Sequence, residues 1–191
     1  MARERKFTTK EIFTLTKQLL LKVGYEGFTI SLLAESMAVS RAAIYKYYTN
    51  KEELIMDFML EEMNEIVEEI GRIDSEATFI EQLDQLIHKI FQYKDLHQML
   101  GAASQIDSRG MNTIIKKKEK LEQLHFGMYR PLQGIIERGK KEGFLVDSLS
   151  NEMIIGFIFQ TIDIPNHTGV PADTFMQAVK QMILHGISNK Q

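Results

Sequence analysis

The residues with the most chemistry to offer stand together near the N-terminus, in the run Ser40-Arg41-Ala42-Ala43-Ile44-Tyr45-Lys46-Tyr47-Tyr48. Ser40 is a helix N-cap type, because its hydroxyl accepts from an otherwise unpaired amide in the first turn. Arg41 carries a planar fork of donors that matches guanine O6 and N7. Ala42 and Ala43 are small, so a helix bearing them lies close to base edges and offers a methyl to thymine. Tyr45, Lys46 and Tyr47 supply hydroxyl and ammonium groups for phosphates, contacts that fix register without reading sequence. Lys51, at the start of the next helix, is a further backbone-contact candidate. The chemistry this implies is recognition of duplex DNA through the major groove, set against the plainer reading of a surface helix with ordinary aromatics.

Such a helix needs a second one before it and a three- to four-residue turn between them. The neighbouring sequence supplies both. Thr8 with Glu11 makes a capping box that opens a helix carrying Ile12, Leu15, Leu19, Leu20 and Val23, and Gly24 and Gly27 end it. Thr29 caps a second helix with Leu32, Leu33 and Met37. Ala38-Val39 is a tight turn, and Ser40 opens the third helix, expected from Arg41 to Tyr48. Asn50 with Glu53 makes another capping box, which starts a long helix with Leu54, Phe58, Met63, Ile66, Val67 and Ile70 on one face.

The rest of the chain continues the helical period. Helices are expected over 79–91, about 95–104, about 109–140, 151–164 and about 172–188. Pro131 is expected to kink the third of these stretches, since proline removes a backbone donor and clashes one turn back. No alternating strand pattern appears, so the fold class is all-α: a three-helix N-terminal domain over residues 1–50, then a larger helical domain over 51–191. The lysine run 116–120 reads as a solvated helix face.

Composition sets the outer limits. The chain has 191 residues, net charge −3 and no cysteine, which removes disulfides and thiolate metal sites. Residues 1–54 hold nine Lys/Arg and six Asp/Glu, a balance of +3, and the remainder holds fourteen against twenty, a balance of −6. That asymmetry points the first segment at a polyanion. No apolar run is long enough for a membrane span. Met1-Ala2-Arg3-Glu4-Arg5 has no apolar stretch behind it, so no signal peptide and a cytoplasmic location are expected. The five histidines lack HxxxH spacing, and no nucleophile motif, Walker loop or dinucleotide fingerprint is present. No enzyme, metal or cofactor is expected.

The ordered series Val23-Gly24-Tyr25, Phe28-Thr29, Leu33-Ala34, Val39 to Tyr48 and Asn50-Lys51-Glu52-Glu53-Leu54 resembles the DNA-binding domain of the tetracycline-repressor (TetR) family. Gly139-Lys140-Lys141-Glu142-Gly143-Phe144 is similar to the stretch that often closes that family's long seventh helix. The resemblance implies that Thr29, Tyr45, Tyr47 and Lys51 touch phosphates, that Arg41, Ala42 and Ala43 lie near bases, and that Tyr48 is a core aromatic. It also implies a small-molecule pocket among the central helices and a four-helix dimer interface from the last two. Three positions depart from the family pattern: Tyr47 where histidine is common, Ala38 where glycine is usual, and Leu15-Thr16 in place of an alanine pair.

For the dimer face, helix 151–164 is apolar nearly all round and must be covered on more than one side. Ile154, Phe157, Ile158, Thr161, Val179 and Ile183 are the residues expected there. For the pocket, the 11 methionines suit an adaptable apolar surface. Phe91, Met99, Met111, His125, Phe126, Met128, Tyr129, Phe159, Gln160 and Asp163 are the candidates, against the plain alternative of core packing. The functional expectation is a homodimeric repressor, released from a palindromic DNA operator by an apolar or amphipathic effector. The alternatives are an activator without effector and a helical interaction module that has lost DNA binding.

Overall fold

A computed structural model describes residues 7–97, 99, 106–108 and 111–186. Among these the chain is all-α, as the hydrophobic periodicity requires. The helices are α1 (Thr9–Gly27), α2 (Ile30–Ser36), α3 (Arg41–Ile44), α4 (Lys51–Gly71), α5 (Phe79–Gln92), α6 (Asn112–Lys141), α7 (Asn151–Gln160) and α8 (Ala172–Gly186), with a short 3₁₀ turn at Thr161–Asp163. Residues 94–97 are also helical. The rest of the element expected over 95–104 lies almost wholly outside the described residues, as do Ile187 and the residues after it.

The described residues form two compact units. One comprises residues within Met1–Asn64 and Asp95–Gln123, the other residues within Glu65–Lys94 and Leu124–Gln191. Both α4 and α6 pass from the first unit into the second along the chain.

In the first unit, Ile12, Leu19, Leu20, Phe28, Leu33, Ile44, Leu54 and Phe58 are buried. The expected caps are present. Thr8 accepts from the Glu11 amide, and the Glu11 carboxylate returns a bond to the Thr8 N–H at 2.6 Å. Gly24, at φ +68°, interrupts the helical backbone of α1. Phe13 meets Phe58 edge-on at 6.0 Å, and Lys17 pairs with Glu62 at 2.7 Å, so α1 lies against α4.

In the second unit, Phe79, Leu83, Leu86, Ile87 and Ile90 of α5 pack with Leu132, Ile135 and Ile136 of α6, Ile154, Ile155 and Ile158 of α7, and Val179 and Ile183 of α8. Thr78 and Glu81 form a capping box at the start of α5, a signal of the same kind as that at Thr8. Gly139 makes close packing possible: a Cβ there would lie 2.7 Å from Leu145 Cδ1 and from the Phe79 ring. The Lys180 ammonium joins α8 to the Asp84 carboxylate of α5 at 2.6 Å. Pro131 sits inside an uninterrupted α6, and Gly143, at φ +78°, ends that helix as the glycine pair there predicts.

Candidate nucleic-acid interface

The tight turn is built by backbone bonds. The Ala38 N–H donates to Glu35 O at 3.0 Å and the Val39 N–H to Ala34 O at 2.9 Å. Ala38 adopts φ +52°, the left-handed conformation for which glycine is favoured, so alanine is held there under strain.

Ser40 then caps α3, its Oγ accepting from the Ala43 N–H at 3.3 Å. Ile44, on the inner side, is fully buried and anchors the helix, while Arg41 and Ala42 are exposed and Ala43 is half-buried. The regular helix is shorter than the expected span Arg41 to Tyr48. It covers Arg41–Ile44, and Tyr45–Tyr47 continue as a tightened turn in which the Tyr47 N–H bonds Ile44 O at 2.9 Å. Such i→i+3 bonding satisfies the last carbonyls of a helix where the chain must leave it. Tyr45, Lys46 and Tyr47 remain exposed on this turn, and Tyr48 is buried, as its role as a core aromatic requires. Phe7 packs edge-on against Tyr47 at 5.4 Å and fixes its ring.

Thr29 lies exposed at the start of α2 and caps it, accepting from the Leu32 N–H at 3.1 Å. The start of α4 departs slightly from the expected capping box. The Glu53 N–H donates to Asn50 Oδ1 at 2.8 Å, but the Glu53 carboxylate reaches past Asn50 to the Thr49 N–H, also at 2.8 Å. That amide holds the Glu53 carboxyl below the usual carboxylate range, with the nearby Lys117 ammonium adding to the effect.

Lys51 is half-buried and directed. Its Nζ donates to Tyr25 O at 3.2 Å and lies 4.2 Å from the centre of the Tyr25 ring, a cation–π arrangement. The Tyr25 hydroxyl donates in turn to Glu52 Oε1 at 3.3 Å. Burial pushes that hydroxyl up to about 12, and the Glu52 carboxylate adds to the shift. Tyr25 thus holds both Lys51 and Glu52, a role that sequence reasoning did not assign to it. The signal was its place beside Gly24, where α1 leaves its helical path.

One compact unit therefore brings together Thr29, Ser40, Arg41, Ala42, Ala43, Tyr45, Lys46, Tyr47 and Lys51. Among these residues are two small side chains and one guanidinium, types suited to base edges, and hydroxyl and ammonium groups, types suited to phosphates.

The residues expected at a pocket fall in both units. Met99 is buried and Met111 exposed in the first unit, and the others belong to the second. There Met128 is core, and Tyr129 and Phe159 are half-buried. His125, Gln160 and Asp163 are exposed, and Phe126 is 70% exposed. His125 and Tyr129 meet edge-on at 5.6 Å. Phe91 lines a cavity of about 490 Å³ with His88, Gln92, Lys94, Asn166, Ala172, Phe175 and Met176.

Of the six residues expected at a dimer face, Ile154, Ile158, Thr161, Val179 and Ile183 are buried within their own chain. Phe157 is 45% exposed, and Met153 at 61% and Met182 at 49% are exposed on the same two helices. No described helix is long and apolar enough to cross a membrane.

Comparison with known proteins agrees with this geometry. The model of bacterial regulatory proteins of the tetR family matches residues 12–57, and that of the YsiA-like protein C-terminal region matches residues 59–186. The fatty acid metabolism regulator protein of Bacillus subtilis (strain 168) is 26% identical over 187 residues, covering 94% of this chain and 95% of its own. The fold is shared with the transcriptional regulator FadR from Bacillus subtilis in complex with stearoyl-CoA (TM-score 0.69, 24% identity, 94% and 100% coverage). It is also shared with a tetR-family regulatory protein from Rhodococcus RHA1 (TM-score 0.79, 16% identity, 99% and 100% coverage). With both halves matched, the chain belongs to the tetR family of bacterial regulatory proteins, DNA-binding transcriptional regulators that act on operators as dimers and answer to small-molecule effectors.

Proposed function

We propose that this regulator is a repressor of genes of fatty-acid metabolism, released from a palindromic operator by a long-chain acyl compound of the acyl-coenzyme A class. The observation that carries this reading is the likeness to the Bacillus subtilis fatty acid metabolism regulator, which runs through both halves of the chain rather than through the DNA-binding segment alone. The stearoyl-CoA in the FadR complex adds support. So does the cavity beside α5 and α8, where Phe91, Phe175 and Met176 provide apolar lining and Lys94 a cation. An acyl thioester offers the matching combination of a long apolar chain and an anionic head, and the volume lies in the ordinary range for a small-molecule site.

In this reading residues 1–50 bind DNA and residues 51–191 bind effector and partner. Arg41, Ala42 and Ala43 meet base edges. Thr29, Ser40, Tyr45, Lys46, Tyr47 and Lys51 meet phosphates. The dimer face consists of Met153, Phe157 and Met182, the apolar side chains that α7 and α8 leave exposed. A two-fold dimer places two reading helices on half-sites one helical turn apart. The effector acts by binding the DNA-released conformation more tightly than the DNA-bound one, because equal binding would shift nothing. The protein catalyses no reaction.

The test begins with selection of bound sequences from a random duplex pool at about 150 mM salt, where binding through phosphates alone is weakened. A palindrome is the expected product. Its affinity is then measured by fluorescence anisotropy with stearoyl-CoA, stearate and coenzyme A added separately. Release by stearoyl-CoA but not by coenzyme A supports the proposal, and an affinity indifferent to every acyl chain sinks it.

A further inference from the structure

The lysine run 116–120 is not uniformly a solvated face. Lys116 and Lys120 are exposed, but Lys118 is half-buried and donates to Ile106 O at 2.6 Å. Lys117 is turned onto α4. Its Nζ lies 2.6 Å from Asp57 Oδ1 and 3.7 Å from Glu53 Oε1. Position explains this: Ile114 and Leu121 are buried, and Lys117 falls between them on the same stripe of α6.

The partner Glu53 faces two ways. Oε1 is directed to Lys117, while Oε2 accepts from the Thr49 N–H, and the Glu53 amide donates to Asn50. Thr49 and Asn50 are the whole link between Tyr48, at the end of the reading turn, and Lys51. On its other side the same first turn of α4 is held by Tyr25, through Lys51 and Glu52.

We infer that Lys117 is a positioning residue for DNA binding: it clamps the first two turns of α4 and thereby sets the 49–50 link and the Lys51 ammonium against the reading helix. The inference rests on the reading of Lys51 as a phosphate contact given above. Lys117 does not touch DNA, since its charge is already matched by two carboxylates.

Two measurements on the full chain test the clamp. The first is amide hydrogen exchange of the free protein over residues 48–54, for wild type, Lys117→Met and Lys117→Arg. Lys117→Met should speed exchange at Thr49 and Glu53 by about five-fold, the scale of a single half-exposed ion pair, with Lys117→Arg near wild type. Unchanged exchange overturns the inference. The second is affinity for a duplex carrying the selected palindrome, across salt concentrations. Lys117→Met should weaken binding about five-fold with the salt slope unaltered, whereas a slope reduced by about one means that Lys117 meets a phosphate itself and overturns the positioning role. If Lys117→Met fails to fold, Asp57→Asn removes the shorter contact and decides by the same readouts. If wild type binds no palindrome, the DNA reading has failed, and the exchange experiment still decides the clamp.

Discussion

Replacing Ala38 by glycine should stabilise the protein, and the size of the gain follows from the backbone. Ala38 holds φ +52°, a conformation that costs a residue bearing a Cβ about 1–2 kcal/mol. Glycine removes that cost. It introduces another, because the unfolded chain gains freedom that folding must take away, worth about 0.4–1 kcal/mol. The side chain of Ala38 is exposed, so its loss removes little packing, and the two backbone bonds of the turn are retained. The net expectation is a gain of about 0.5–1 kcal/mol, which for a chain of this size raises the melting temperature by about 1–4 °C. Differential scanning calorimetry on Ala38→Gly against wild type reads this directly. A lowered melting temperature would refute the strain argument and would mean that the turn's left-handed residue is favoured by something other than local sterics. Operator affinity should be unchanged, since neither the Ser40 cap nor Ile44 is disturbed.

Four further outcomes are expected. Thr16 is fully buried with its hydroxyl unpartnered, so Thr16→Val should raise the urea midpoint, by about 1 kcal/mol in stability, and a fall would show that the hydroxyl is bonded. Gly139→Ala should destabilise by about 1–3 kcal/mol, because the new Cβ would press on Leu145 and Phe79, which are both buried and have little room to yield; thermal melting measures it. The Tyr25 hydroxyl is raised from 10.0 to about 12 in the fold, so its contribution is complete below pH 10 and is lost as pH rises through about 12. Wild type should therefore lose stability relative to Tyr25→Phe across that window, and parallel pH profiles in chemical denaturation would contradict the assignment. Lys51→Ala should weaken binding to all sequences and lower the salt slope by about one, whereas Arg41→Ala should relax discrimination at one base position; anisotropy on matched and mismatched duplexes separates the two.

Much of this architecture was legible in the sequence because local chemistry and long-range packing agree at its most informative positions. Thr8 with Glu11, Thr29, and Ser40 announce helix starts by residue type alone, and each of their hydroxyls accepts the expected amide. The apolar stripe Leu83, Leu86, Ile87 and Ile90 announces the inner face of α5, and all four residues are buried. The end of α3 was not legible. Whether a helix continues past Ile44 depends on where the chain must turn to reach α4, and nothing in Tyr45-Lys46-Tyr47 opposes another helical turn. Lys117 was misread as solvated because a charged residue inside an apolar stripe is identified only by the carboxylates across from it, and Asp57 and Glu53 come from a distant part of the chain. The Lys51 to Tyr25 contact was hidden for the same reason, as it joins the start of α4 to the end of α1.

The exposed apolar residues of the last two helices show a different kind of limit. Helix α7 is apolar around most of its circumference, so hydropathy establishes that it must be covered on two sides without saying which side faces its own chain. The structure resolves this through spacing. Ile154, Ile155 and Ile158 meet α5, α6 and α8 in one core, which leaves Met153 and Phe157, one turn apart, on the opposite surface. On α8, Val179 and Ile183 likewise face inward and Met182 outward. β-branched residues fill the closed interior, where a fixed shape packs best. Met153, Phe157 and Met182 occupy the exposed face, while Met176 of α8 is buried with the core. Five of the six residues expected at the interface, Ile154, Ile158, Thr161, Val179 and Ile183, are buried within the chain, because hydropathy by itself does not separate a helix face turned to its own core from one left exposed.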